Sequence, residues 1–383
     1  MNELFQQLMA GAARSTQQGR LAEATQTIRR ALRGMARDGS LATPPPQTTA
    51  SADTLGKLVP AGLTRVVDDA AAPSPVDSVK PAHTGRGECW QRASFTHQGR
   101  TLAYRFYLPP TASGDTALRP MVVMLHGCTQ GADDFAAGTQ MNTLARGLDM
   151  VVLYPEQTQH DNAQKCWNWF KPQHQRRGRG EPSVIAALAQ SIGTEHRVDP
   201  ARIYVAGLSA GGAMADIVGH CYPDVFAAVG VHSGLPQGCA ADVMSALSVM
   251  RSGSPSAAAV QRRASALPTI VFHGDADSTV HVSNGEAIAR AVSSAGADVV
   301  NGAGGESGKV TKRATEGTSH RGERHTRTVY TDGDGRTQTE YWQLHGAGHA
   351  WSGGSASGSY TNPNGVDASA EMLRFFMAHP RSR

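Results

Sequence analysis

The sequence predicts an α/β architecture: a doubly wound, mostly parallel sheet flanked by helices, with a helical extension ahead of it. Short apolar runs, MVVMLHG, VVLYP, RIYVAG, AAVGVHSG and TIVFHG, fall between residues 121 and 274 and read as buried parallel strands. Helical patterns separate them, and a chain that alternates strand and helix winds into such a sheet through right-handed crossovers. The runs end in His126-Gly127-Cys128, Gly207-Leu208-Ser209 and His273-Gly274-Asp275-Ala276-Asp277. In these sheets chemistry gathers at the carboxyl ends of the strands.

Taken in order, residues 1–37 read as helix. Leu4, Phe5, Leu8 and Met9 form one apolar stripe, and Leu21, Ala24, Ile28, Ala31, Leu32 and Met35 repeat near a 3.6-residue period. Two roles stay open: a hairpin docking on its own main domain or on a second copy, or a basic amphipathic surface touching an acidic partner or a polymer granule. Residues 38–85, with Pro44-Pro45-Pro46 and many Ala, Ser and Thr, read as a linker. The catalytic domain is expected over 86–383. It opens with a hairpin over Ser94–Tyr107, turning at Gln98-Gly99, and a helix is expected over Asp133–Leu148 between the first two buried strands.

Composition excludes several classes. The chain has 383 residues and a net charge of +4, with the positive residues scattered. The basic clusters at Gln175-Arg176-Arg177-Gly178-Arg179 and around Arg321–Arg327 lie in Gly-rich stretches, carry no nucleic-acid fold signature and read as solvated loops. No apolar run approaches the roughly 18 residues of a membrane span. Glu3 interrupts the N-terminus and Arg29-Arg30 leads into Ala-Leu-Arg, so no secretion signal is recognised and a cytoplasmic location is expected. The cysteines number five, without a C-x-x-C pair, which argues against zinc. If disulfides form, Cys128–Cys166 and Cys221–Cys239 are the expected pairs.

Ser209 sits in G-x-S-x-G, between the apolar run Ile203–Ala206 and the helix-forming residues from Ala210 to Val218. A nucleophile elbow needs this order of strand, sharp turn and helix, with glycines relieving the crowding. A serine hydroxyl also needs an imidazole to take its proton and a carboxylate to orient that imidazole. The chain supplies them downstream, each just past an expected strand: Asp275 and Asp277 in HGDADSTV, His345 and His349 in LHGAGHAW.

Together LHGCTQ, CWNWF, GLSAGGAM, HGDADSTV and GAGHAWSGG resemble the catalytic core of the polyhydroxybutyrate depolymerase family of esterases, over roughly residues 90 to 378. The resemblance implies an α/β-hydrolase fold with Ser209 as nucleophile, Asp277 as acid and His349 as general base. It places the oxyanion hole at the N–H groups of Cys128 and Ala210, and it implies no metal or cofactor. Asp275 is then a loop-capping residue and His345 a structural one. The aromatic residues Trp167, Trp169 and Phe170, with Trp351, are expected to shape an acyl or polymer-chain groove, a core role being the alternative. Secreted family members carry an export signal and an added polymer-binding domain, and the chain shows neither after its catalytic core. The substrates implied are therefore soluble 3-hydroxyalkanoate oligomers, amorphous polyester or small esters. Feruloyl and acetyl-xylan esterases share similar motifs and stay open as alternatives. An acyltransferase or peptidase on this scaffold and a non-catalytic granule-binding protein also stay open.

Overall fold

Gln98 and Gly99 reverse the chain at its first hairpin, with φ of 50° and 74° as a tight two-residue turn of this type demands. They join β1 (Cys89–His97) to β2 (Arg100–Leu108) in the computed structural model, which describes residues 87–110, 117–254, 267–295 and 310–382. The expected helices over 1–37 and the linker over 38–85 lie outside the described residues.

Strand and helix then alternate through β3 (Arg119–Leu125), α1 (Ala132–Thr139), α2 (Met141–Arg146), β4 (Val151–Glu156) and α3 (Gly180–Glu195). They continue through β5 (Val198–Leu208), α4 (Ala210–Cys221), β6 (Ala228–His232), α5 (Val243–Ser252), β7 (Thr269–Gly274) and α6 (Ser283–Ala295). After these come β8 (Thr311–Thr318), β9 (Arg324–Thr331), β10 (Thr337–Leu344), the short β11 (Trp351–Ser352) and β12 (Thr361–Asn362), and α7 (Ala368–Met377).

Ten of these strands form one sheet in the order β1-β2-β4-β3-β5-β6-β7-β10-β9-β8. The six from β4 to β10 run parallel, and an antiparallel pair closes each edge. Residues alternate between the two faces, as the period of a strand requires. Met121, Val123 and Leu125 join a core with α3 and α4, whereas Val122 and Met124 join one with α1 and α7. Each parallel strand is thus covered on both sides, which explains why its sequence is a continuous apolar run. This is the α/β-hydrolase fold.

The crossovers change direction between β3 and β5, since β4 lies to one side of that pair and β6 to the other. A crevice at such a switch point is where ligands bind in open α/β sheets. Both His126-Gly127-Cys128 and Ser209 emerge from it. Their approach depends on glycine: a Cβ on Gly211 would run into the carbonyls of Leu125 and His126, and one on Gly207 into Gly211 and Leu125.

The structure departs from the expected elements in two places. The helix expected over Asp133–Leu148 is divided by Gln140, whose φ of 55° both ends α1 and precedes α2. The break sits where α1 packs against a loop, since a Cβ on Gly138 would meet Thr361 and Gly358. The cluster around Arg321–Arg327, expected as solvated loop, supplies the turn and β9, and Arg327 makes a two-pronged bond to the buried Glu340 at 2.7 and 3.1 Å. Its partner strand β8 is polar and largely exposed, which hid it from any apolar periodicity.

Gly211→Ala forces backbone against backbone and is expected to cost about 1–3 kcal/mol or more. Gly193 is a helical glycine whose added Cβ would make ordinary contacts of 3.7 and 3.8 Å with Ile203 and Val198. Gly193→Ala is expected to stabilise by about 0.5–1 kcal/mol. Thermal midpoints moving in opposite directions check both.

Candidate active site

The β5–α4 turn places Ser209 at φ 57° and ψ −120°, outside the regions that L-residues ordinarily occupy. Such strain persists only when the surroundings over-determine it. Here Ser209 N–H donates to His232 O at 2.9 Å, and Ser209 O accepts from Ala213 N–H at 2.9 Å as α4 begins. The next amide, Ala210 N–H, belongs to the first turn of α4, where N–H groups lack intrahelical partners and the helix dipole favours negative charge. Across the crevice a Cβ on Gly127 would lie 3.6 Å from Ser209 Cβ, so the Gly127-Cys128 loop borders the serine.

That loop is anchored at several points. Gly127 N–H donates to Gln130 Oε1 at 2.9 Å, His126 Nδ1–H to Gly127 O at 2.7 Å, and Thr129 Oγ–H to Cys128 O at 2.6 Å. His126 Nε2 accepts Gln157 N–H at 3.0 Å, and burial pushes the ring's pKa down, so it stays neutral for that role. Cys128 is disulfide-bonded to Cys166, as the sequence reading expected for this pair. The other expected pair does not form. Cys221 and Cys239 are free thiols, Gln237 Nε2 approaches Cys221 Sγ at 3.7 Å, and burial raises the two thiols to about 11 and about 12.

Asp277 and His349 are brought together: His349 Nδ1–H donates to Asp277 Oδ2 at 2.7 Å. This fixes the tautomer and leaves Nε2 as the ring's basic nitrogen. Asp277 Oδ1 accepts the N–H groups of Thr279 and Val280, both at 2.8 Å. The buried His273 stands 3.6 Å from Oδ2 and donates Nε2–H to Val280 O at 2.8 Å, which holds the acid's loop from beneath. Burial pushes the Asp277 carboxyl up, but the nearby His273, the bond from His349 and the Val280 N–H more than reverse this and hold it far below the usual carboxylate range.

Asp275 and His345, expected as a loop cap and a structural residue, form a second, more exposed pair at 2.8 Å. Asp275 Oδ1 accepts Gly346 N–H at 2.7 Å, Asp275 N–H donates to Leu344 O at 3.0 Å, and Ala276 N–H to Ala347 O at 3.1 Å. These bonds stitch the loop after β7 to the loop after β10, and so set Asp277 opposite His349.

The tryptophans do not face an open groove as expected. Trp167 and Trp351 are wholly buried, and Trp169 is 5% exposed and packs edge-on against Phe170. Trp167 Nε1–H donates to His126 O at 3.1 Å, and Trp351 Nε1–H to Ser369 Oγ at 3.0 Å, so their polar edges are committed within the core. Tyr360 is instead the aromatic exposed beside the Cys128-Thr129 loop. It is 48% exposed, with its hydroxyl 3.4 Å from Thr129 Oγ. Nothing in the sequence marks it, since it lies 11 residues past His349 in a Gly- and Ser-rich loop. Among the described residues no group of three or more His, Cys, Asp or Glu gathers as a metal-ligand set, and no helix is long and apolar enough to cross a membrane.

Residues 102–311 match the family described as Esterase PHB depolymerase. The chain is 40% identical over 141 residues to poly(3-hydroxyalkanoate) depolymerase C of Paucimonas lemoignei, covering 37% of this chain and 34% of that protein. It is 29% identical over 286 residues to poly(3-hydroxybutyrate) depolymerase of Ralstonia pickettii, covering 70% of this chain and 55% of that protein. The chain thus spans about a third to a half of the length of these relatives. The solved acetyl xylan esterase from Aspergillus awamori shares the fold, with a TM-score of 0.57 at 17% identity over 76% of this chain and 99% of that one.

Because folding lowers the Asp277 pKa, the stability it contributes is complete above the unfolded carboxylate value near pH 3.9 and is lost as pH falls toward the folded value. In urea unfolding, the gap between wild type and Asp277→Asn is expected to stay constant above about pH 5 and to narrow below it.

Proposed function

The chain belongs to the esterase PHB depolymerase family, and from that premise we propose that it is a serine carboxylic-ester hydrolase working through an acyl-enzyme. The observation that carries this reading is the His349–Asp277 bond of 2.7 Å, set at the same end of the sheet as a serine on a strained elbow. In this reading His349 Nε2 takes the proton of Ser209 as Oγ attacks the ester carbonyl. The oxyanion that develops is met by the N–H groups of Cys128 and Ala210. Gly127 N–H is already committed to Gln130, which leaves the next amide as that loop's donor. The imidazolium, steadied by the ionised Asp277, then protonates the leaving alcohol. Water enters, His349 takes its proton, and the acyl group leaves as a carboxylic acid.

For the substrate we take 3-hydroxyalkanoate oligomers, a reading supported by the two depolymerase relatives. Tyr360, exposed beside Thr129, is the aromatic assigned to the mouth.

Hydrolysis of p-nitrophenyl butyrate, methyl ferulate and a 3-hydroxybutyrate trimer by the protein and its Ser209→Ala variant tests this. Activity is expected on the trimer and the butyrate and should fall by several orders of magnitude in the variant. Undiminished turnover by Ser209→Ala overturns the mechanism. Preference for the ferulate overturns the substrate class alone.

A further inference from the structure

We propose that His232 is a positioning residue that locks the nucleophile's turn to the loop carrying the general base. The inference rests on the serine-esterase reading and adds a residue to it. His232 is the last residue of β6, the strand between those that end at Ser209 and at the Asp277 loop. Two of its atoms reach in different directions. Its carbonyl accepts Ser209 N–H at 2.9 Å, and its ring Nε2 accepts Ser352 N–H at 3.0 Å, three residues beyond His349. One residue therefore spans, through its backbone carbonyl and its ring, from the nucleophile's own peptide to the base's loop.

The ring is fixed in every degree of freedom that matters for this role. Nδ1–H donates to Ser233 Oγ at 3.2 Å, which makes Nε2 the lone-pair atom. Phe272 stacks with the His232 ring at a centroid distance of 5.8 Å and 12°, and Trp351 stacks with it at 5.2 Å and 25°. Trp351 thus serves as a plate that holds His232, and through β11 it is joined to the very loop that His232 anchors. The ring is fully buried. Burial, with His273 and His349 nearby and only Asp277 opposing, drives its pKa down to about 3. The acceptor at Nε2 therefore survives well into the acid range.

A purely packing role would be served as well by phenylalanine, because stacking needs only the ring. A polar ring in a dry core costs free energy unless its nitrogens are bonded, and here both are. What histidine adds is an acceptor for Ser352 N–H at a fixed angle from its own backbone carbonyl.

Stopped-flow acylation by p-nitrophenyl butyrate separates positioning from loss of folded enzyme: the burst amplitude counts competent sites, and the burst rate reports how well each is arranged. His232→Phe keeps the ring and removes the acceptor. It is expected to lower the burst rate and kcat about 10–100-fold, with KM within about two-fold and the amplitude per folded molecule unchanged. His232→Gln returns an acceptor and is expected to recover most of that loss. Ser233→Ala, which frees the tautomer, is expected to slow acylation about two- to five-fold, and it decides the matter with His232→Gln if the phenylalanine variant is insoluble. A wild-type burst rate in His232→Phe, or a glutamine variant no faster than phenylalanine, overturns the proposal. So does an unchanged rate in Ser233→Ala together with full loss in the glutamine variant. Ser209→Ala run in parallel keeps this distinct from the esterase reading, which falls only if that variant remains active.

Discussion

The close approach of the first turn of α4 to the ends of β3 and β5 is the constraint on which the rest of the site depends. Gly207 and Gly211 meet backbone on all sides, so no side chain of any size fits at either position. Their absence of Cβ lets the helix N-terminus and the Gly127-Cys128 loop stand on either side of Ser209. The same crowding forces Ser209 to a φ of 57°, a conformation that costs on the order of 1–3 kcal/mol. The bonds from Ser209 to His232 and Ala213 hold the turn against that cost. A looser packing here would relax the strain, but it would also let the serine swing away from the oxyanion loop.

A second constraint is electrostatic, and it is met twice at unlike depths. Asp277 is buried, and an isolated carboxylate there would take up a proton. Two backbone amides and His349 satisfy its oxygens, so it keeps its charge and orients the imidazole. The Asp275–His345 pair has each side chain more than a quarter exposed, and as an ion pair at a surface it is worth little. Its value is geometric. With its accompanying amide bonds it fixes the distance between two loops that leave adjacent parallel strands, and the buried pair then meets at 2.7 Å without either loop bending to reach it.

Much of this was legible in the sequence because strands and chemistry share a boundary. Runs such as TIVFHG are apolar throughout because both faces are covered, and the residues that end them must be the ones at the catalytic edge. The G-x-S-x-G turn was legible for a related reason, since only glycines permit the packing. The aromatics were not. Trp351 lies two residues from His349, but adjacency along a chain does not say to which side of β11 a ring turns, and it turns inward onto His232. His232 itself carries no local mark: its partner Ser352 lies 120 residues away, and only the sheet order brings them together. Gln140 breaks a helix although it is neither Gly nor Pro, at the point where Gly138 lets α1 approach the loop at Gly358 and Thr361.

The Gly127-Cys128 loop, proposed to hold the oxyanion, shows how far from the serine its positioning begins. An amide that stabilises a transient negative charge works only if it is held in place before the charge appears. Cys128 is held through the disulfide to Cys166, whose carbonyl accepts Gln157 Nε2–H at 3.2 Å. Gln157 also donates its backbone N–H to His126 and its side-chain N–H to Glu181 at 2.6 Å. Glu181 further accepts Asn168 N–H at 2.8 Å and Asn168 Nδ2–H at 2.6 Å. Burial alone would neutralise this carboxyl, yet the His174 and Asn168 partners hold it below its ordinary range. A charge so placed demands partners around it, and these are Gln157, His174 and, from the CWNWF loop, Asn168. The cost of burying Glu181 is thus offset by bonds that draw Trp167, Cys166 and the oxyanion loop into one arrangement. An apolar residue at position 181 would satisfy the core and leave that loop without its anchor.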